Sequence, residues 1–152
     1  AEGPAPYAVL FAGQRIWLGD SLLFHLLRQI AIPGDGLVFL HPIAFAGWIG
    51  LFVTALNLVP LAQLDGGHIL FALVGRAQRY FGLAFLGLLV VLGFQWWGWW
   101  LWVVVILLIG RGSIRHPSVF DPHPPVTGPR RLLGWFCIVI FVVTFMPLPL
   151  QA

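Results

Sequence analysis

The stretch that decides how this chain folds is residues 57–68, which read NLVPLAQLDGGH. It overlaps the end of residues 36–64, a run that contains no Asp, Glu, Lys or Arg. The first charged residue after that run is Asp65. This places a carboxylate at or within membrane depth, where an unpaired charge costs about 2.5–3.5 kcal/mol even on the mildest insertion scale. Because a charged residue at such a cost is usually retained only where it has a function, we interpret Asp65 as a functional carboxylate.

The composition identifies the surroundings of this stretch as a lipid bilayer. The 152 residues are 60% hydrophobic and only 9% charged, with a mean hydropathy of +0.95, whereas soluble domains carry about 25% charged residues. The net charge of +3 comes from arginines clustered beside apolar blocks. That arrangement is typical of topology-setting positive residues and not of a nucleic-acid surface. We therefore predict an integral, multi-pass membrane protein with the bilayer as a partner and no nucleic acid.

The apolar blocks predict an all-α, polytopic transmembrane fold with about four spanning segments and a short interfacial helix, because helices satisfy their own backbone in lipid. Residues 22–30 are amphipathic, follow the capping pair Asp20-Ser21, and are too short to cross. The first span runs from residue 37 or 42 to residue 58 and is ended by Pro60. A short helix is expected over residues 65–74.

The remaining sequence predicts a helical hairpin and one last span. Residues 80–110 carry arginines beyond both ends and a tryptophan cluster in the middle, so we expect two short arms that turn near residues 95–98. Residues 132–146 form the last span. We divide the chain into 1–36 (loop and interfacial helix), 37–110 (core transmembrane region), 111–131 (polar loop) and 132–152 (last transmembrane segment). Residues 1–19 are expected to be a loop or the tail of a preceding element, without strands.

The broken helix around Pro60 indicates the kind of site that Asp65 could serve. Non-helical backbone at membrane depth occurs only where it lines protein or a water-filled cavity. A carboxylate there can bind a metal such as Zn²⁺, carry protons or hold a cation. A purely structural role is also open, with Asp65 as the N-cap of the following helix. Asn57 could likewise be a buried amide bonded to carbonyls freed by the break.

The same stretch resembles the second motif of the site-2 protease family, the intramembrane zinc metalloproteases. The matching residues are Asn57 and Pro60, followed by Leu64-Asp65-Gly66-Gly67-His68. The preceding run from His41 to Leu51 is also similar to that family. The resemblance implies an endopeptidase that cleaves transmembrane helices, with Asp65 as the third zinc ligand and Asn57 lining the active site. Gly66 and Gly67 would permit the close backbone path.

The resemblance covers only part of that family's machinery. H-E-x-x-H, which supplies two histidine ligands and the glutamate base, does not occur in this sequence. We therefore expect one zinc ligand here and the others upstream, so that residues 1–152 are the C-terminal part of a membrane-embedded protease domain, inactive alone. The start at Ala1 favours such a truncation. The alternatives are a pseudoprotease that binds membrane helices without cutting them and, less favoured, a transporter fragment. Arginine-only basic usage and the motif suit a prokaryotic cell membrane.

Overall fold

The computed structural model describes residues 7–32, 34, 36–61, 64–110 and 126–151. Contacts within the chain separate it into two units, one formed by Ala1–Leu56 with Val142–Ala152 and the other by Asn57–Phe141. Six α-helices and four short strands lie in the described ranges. The chain is thus mostly helical, but it also contains a sheet.

The sheet belongs to the first unit and begins with a hairpin. Strands β1 (Tyr7–Phe11) and β2 (Gln14–Leu18) pair antiparallel around the two-residue turn Ala12-Gly13. Both turn residues have positive φ, 49° and 80°, the backbone that two-residue hairpin turns require. Strand β3 (Val38–Phe39) adds parallel to β1, and β4 (Leu150–Gln151) adds antiparallel to β2. The strand order is β3-β1-β2-β4.

Helix α1 (Leu22–Ala31) follows the hairpin and begins where the sequence predicted. Ser21 is its N-cap, and its hydroxyl oxygen accepts a hydrogen bond of 3.2 Å from the backbone N–H of Phe24, which satisfies one of the free N–H groups at the helix start. None of its residues is buried. The predicted cap and amphipathic helix are confirmed.

Helix α2 (Pro42–Asn57) closes the core of the first unit. Trp48 is buried with Tyr7, Leu18 and Met146, and its indole ring stacks between the rings of Phe45 and Phe52. The Trp48 indole N–H donates to the carbonyl of Gly19 at 2.9 Å, and the Gly19 N–H donates to Pro149 at the same distance. The core therefore joins the first strands to the last residues of the chain.

The second unit contains helices α3 (Asp65–Val74), α4 (Gln78–Leu92) and α5 (Gly98–Ile109), and most of α6 (Pro129–Thr144). A single 3₁₀ turn, Gly75–Ala77, joins α3 to α4. Helices α4 and α5 meet through the turn at residues 93–97, where the Trp100 indole donates to the Val90 carbonyl at 3.1 Å. The turn is close to the predicted position, near residues 95–98. Its tight packing depends on Gly93, since an added Cβ would lie 2.0 Å from the Trp100 ring.

Within the described ranges, one helical run is long and apolar enough to cross a membrane, Asp65–Leu92 with 28 residues. Shorter apolar helices lie at Leu22–Ala31, Pro42–Asn57 and Gly98–Ile109. The prediction of about four spanning segments is therefore not confirmed by helix length. The 28-residue run includes Arg76 and Arg79. From the sequence, these arginines were expected in a polar segment between two helices.

Two expectations require correction. The all-α prediction is wrong in that a four-stranded sheet is present, and residues 7–18 form its hairpin instead of a loop. The physical reason is that each strand is completed by pairing with distant residues, a contact that local patterning does not encode. Most of the predicted polar loop, residues 111–125, lies outside the described residues, and its last three residues belong to α6. The predicted division into segments 1–36, 37–110, 111–131 and 132–152 stays a prediction.

Candidate metal-binding site

The candidate site is built on a break between two helices. Helix α2 ends at Asn57, one residue before the predicted end at residue 58, and α3 begins at Asp65 as predicted. In the intervening segment the Leu61 N–H bonds to the Val59 carbonyl at 2.8 Å, and the Leu64 N–H bonds to the Leu61 carbonyl at 3.1 Å. These short-range turns replace helical hydrogen bonds after Pro60. The described part of the segment is therefore non-helical but ordered by its own backbone.

Gly66 holds the two ends of this break against each other. An added Cβ at Gly66 would lie 1.9 Å from the carbonyl oxygen of Leu58 and 2.7 Å from that of Val59. Only a residue without a side chain permits such an approach of one backbone to another. Leu58 follows Asn57 and Gly66 follows Asp65, so the residues directly after both predicted site residues are in contact.

Asp65 is the first residue of α3 and is exposed. The N-cap is Leu64, which has extended backbone and makes no side-chain cap, so the structural role of Asp65 as N-cap is not what the structure shows. A carboxylate in the first turn is still favourable next to the free N–H groups of the helix. Within the described part of the chain, no hydrogen bond or ion pair occupies the Asp65 carboxylate. Its oxygens are available for a ligand.

Asn57 is the last residue of α2 and is also exposed. This differs from the alternative of a buried amide bonded to carbonyls near the break. The freed carbonyl of Pro60 is instead bound by Gln78, whose side-chain Nε2 donates to it at 3.3 Å. Gln78 is the first residue of α4 and only 1% exposed. Sequence reasoning missed Gln78 because it placed residues 75–79 in a polar stop, although a glutamine beside an apolar block was a visible signal.

The described residues do not form a complete metal site by themselves. They hold no group of three or more His, Cys, Asp or Glu side chains placed to share an ion, whereas a catalytic zinc site uses three protein ligands and keeps one open position. His68, one turn after Asp65, is exposed at the start of α3. What this part of the chain can supply is one exposed carboxylate, directly after a break whose described residues form short-range turns.

The sequence around this site matches a known protein family. The profile described as Peptidase family M50 matches residues 26–93, a range that contains both Asn57 and Asp65. Residues 26–93 are thus similar to peptidase family M50. M50 is the site-2 protease family, so the resemblance inferred from the motif is confirmed. M50 proteins are membrane-associated, in keeping with the long apolar helical run of this chain.

Several relatives of this chain are named as zinc metalloproteases. It is 34% identical over 134 residues to a protein of Arabidopsis thaliana named probable zinc metalloprotease EGY1, chloroplastic, covering 84% of this chain and 24% of the relative. It is 38% identical over 113 residues to probable zinc metalloprotease EGY2, chloroplastic, of Oryza sativa subsp. indica, covering 62% and 19%. Probable zinc metalloprotease EGY3, chloroplastic, of the same plant is 52% identical over 56 residues, covering 37% and 8%. No solved structure matches the chain.

Two consequences follow for the sequence predictions. The chain spans 24% of EGY1, 19% of EGY2 and 8% of EGY3, and the names of these relatives, as whole proteins, state a zinc metalloprotease. The expectation of a prokaryotic membrane finds no support, because these relatives are named chloroplastic.

Proposed function

We propose that this chain supplies the carboxylate zinc ligand of an intramembrane metalloendopeptidase of the site-2 type, with Asp65 as that ligand. The observation that carries the proposal is the exposed Asp65 carboxylate at the start of α3, on a break whose two ends are held in contact through Gly66. The M50 match over the same residues supports a protease, and the names of the relatives support zinc.

Some residues at the break would take part in the chemistry, and others set the course of the backbone. Asp65 would hold the ion through its carboxylate oxygens, at the roughly 2.0–2.2 Å that such ligands adopt. Zinc, when bound, polarises a carbonyl and lowers the pKa of its water. Asn57 would donate its side-chain amide N–H to the substrate backbone or to the oxygen that becomes negative during attack. Pro60 keeps the segment non-helical, and Gly66 sets the approach of the two ends.

The substrate we propose is a transmembrane protein segment, cut where it loses helical structure. A helix satisfies its own backbone and presents no free carbonyl, so it must open before hydrolysis. The described residues of the break, 58–61 and 64, are non-helical, a backbone that suits contact with an opened chain. The remaining zinc ligands and the general base would come from outside the described residues.

The bilayer is the second proposed partner, and α1 supports it. Its apolar side chains face outward, with Ile30 81% exposed and Leu22, Leu26 and Leu27 at least half exposed. Its polar side chains make local contacts at the surface: His25 Nδ1 lies 3.0 Å from Asp20 Oδ2, and Arg28 donates to the carbonyls of Gly34 and Gly36 at 2.7 Å. A surface helix of a soluble domain turns its apolar face toward the core, whereas α1 leaves these apolar side chains uncovered. This orientation suits the lipid interface.

The test of the zinc proposal is Asp65→Asn in the intact protein. Asparagine keeps the volume of the side chain but loses the negative charge, so we expect bound zinc to fall at least tenfold and cleavage of a transmembrane substrate to be lost. Zinc would be measured by elemental analysis after dialysis, and cleavage by gel. Asp20→Asn is the matched control, because that carboxylate bonds Tyr7 and His25 and should leave zinc content unchanged.

The outcomes separate the proposal from its rivals. Full zinc content and cleavage in Asp65→Asn would overturn the assignment of Asp65. A wild-type intact protein that neither binds zinc nor cleaves would indicate a pseudoprotease that only binds membrane helices. Loss of both properties in Asp65→Asn but not in Asp20→Asn would support the zinc protease.

A further inference from the structure

A buried glutamine makes a hydrogen bond to the break that precedes Asp65. Gln78 is 1% exposed, and its Nε2 donates to the Pro60 carbonyl at 3.3 Å. The two residues are eighteen positions apart, so the bond links the non-helical segment to the first turn of α4.

The bond connects residues far apart in the chain, whereas the backbone hydrogen bonds of the described part of the break are local: the Leu61–Val59 and Leu64–Leu61 turns and the 3.2 Å bond from the His68 N–H to the Leu64 carbonyl. The Gln78 side chain is buried, and a buried amide without a hydrogen-bond partner is costly. The Pro60 carbonyl removes that cost only while Pro60 keeps its present place beside Gln78.

We propose that Gln78 is a positioning residue for the metal-binding carboxylate. It does not touch the ion or the substrate; it fixes the backbone at Pro60, five residues before Asp65, and thereby the place from which Asp65 reaches the ion. The inference rests on the proposed function for its link to zinc, but not for its effect on the break.

The direct test measures opening of the break by hydrogen exchange of the backbone amides of Leu61, Leu64 and His68. Gln78→Leu keeps similar volume and removes the donor, so we expect these amides to exchange about tenfold faster or more, as befits the loss of a hydrogen bond made by a buried side chain. Gln95→Leu is the matched control, since Gln95 is an exposed glutamine in the α4–α5 turn. It should leave the three amides unchanged.

Gln78→Glu adds a pH-dependent result that a simple packing role of Gln78 would not produce. An ionised glutamate has no proton to donate to Pro60, whereas the protonated acid does. Burial raises the pKa of a carboxyl, so the acid form is favoured in the folded state and the defect should fade as pH falls. We expect fast exchange of the Leu61 and Leu64 amides at neutral pH and near wild-type exchange at acidic pH, relative to wild type at each pH. Gln78→Leu should show no such recovery.

Zinc binding in the intact protein then tests the positioning role. We expect Gln78→Leu to weaken zinc binding at least threefold, with Gln78→Glu matching it at neutral pH. Unchanged amide exchange in both variants would overturn the inference whatever zinc does. Faster exchange with unchanged zinc affinity would also overturn it, because the break would open without moving the ligand. Failure of the zinc assignment itself would show instead as full zinc content in Asp65→Asn.

Discussion

At the scale of single residues, Gly66 and Asp65 illustrate two kinds of demand on the same motif. Asp65 contributes a reactive carboxylate, a group that many positions could carry. Gly66 matters because it has no side chain. The sequence predicted both, because a glycine pair after a carboxylate indicates a close backbone path. It could not predict that the neighbour in question is the Leu58 carbonyl, since that contact exists only once Gly66 has folded back onto Leu58.

Gly66→Ala should therefore destabilise the protein. A Cβ 1.9 Å from the Leu58 oxygen meets backbone that cannot rotate away, and we expect a loss of about 1–3 kcal/mol in the free energy of unfolding, as for an overpacked site. Gly87→Ala in α4 is the control. Nothing lies within 4 Å of its added Cβ, so alanine should gain about 0.5–1 kcal/mol through helix propensity. Denaturant unfolding in detergent measures both, and an equal effect of the two changes would contradict the close contact.

Tyr7 provides a prediction about pH. Burial, then the charge of Asp20 and the hydrogen bond to it, raise the pKa of the Tyr7 phenol from 10.0 to about 12. Above pH 10 the unfolded chain loses this proton while the folded chain keeps it, so the free energy of unfolding should fall as pH rises from 10 to about 12. Below pH 10 the phenol is neutral in both states and contributes no slope.

Tyr7→Phe should flatten this alkaline loss of stability, and unfolding followed by tryptophan fluorescence at several pH values would measure it. Tyr80→Phe removes the other, exposed tyrosine and should leave the slope in place. A slope that persists in Tyr7→Phe would show that another group is responsible.

At the scale of secondary-structure elements, the helices were predictable and the strands were not. The starts of α1 and α3 and the end of α2 follow from local signals: a serine cap, a carboxylate before glycines, and a proline three residues beyond the last turn. The sheet has no such signals. Strands β3 and β4 are two residues long, and the hairpin turn is Ala12-Gly13 instead of the usual Asn-Gly. Trp17 pairs with Gln151, a partner that no local window contains.

Helix α1 carries the prediction that belongs to this scale. If its exposed apolar side faces lipid, a nitroxide on Ile30→Cys should collide with lipid-soluble oxygen more than with a water-soluble nickel complex. A nitroxide on Gln29→Cys, on the polar side, should show the reverse. Both would be made with Cys137, the single cysteine of the sequence, replaced by serine. Greater access of nickel at Ile30 than at Gln29 would contradict an interfacial α1.

At the scale of the whole molecule, the second unit determines how the chain can meet a bilayer. Helix α4 has 15 residues and α5 has 12, about 22 and 18 Å long. These arms are shorter than the roughly 30 Å hydrocarbon core, so a crossing hairpin requires local thinning of the bilayer. Trp97, 69% exposed at the turn, suits the headgroup region at the far side.

Cysteine labelling with a membrane-impermeant maleimide tests this topology. In a chain without Cys137, we expect Arg76→Cys and Thr127→Cys to be labelled from the same side, since α4 and α5 together cross an even number of times. Trp97→Cys should be labelled from the other side. Labelling of Arg76→Cys and Thr127→Cys from opposite sides would rule out the hairpin, whereas no labelling of Trp97→Cys from either side would indicate that its turn stays within the bilayer.

Sequence patterns alone predicted the resemblance to the site-2 protease family, the helix α1, the interruption between α2 and α3, and the candidate ligand Asp65. Each of these depends on hydropathy, capping or motif residues within a short window. Only the tertiary structure decided the four-stranded sheet, the contact of Gly66 with Leu58 and the bond of Gln78 to Pro60. The physical reason is that these features are contacts between residues separated by a turn of the chain or by most of its length. Their energies arise only when both partners are in place.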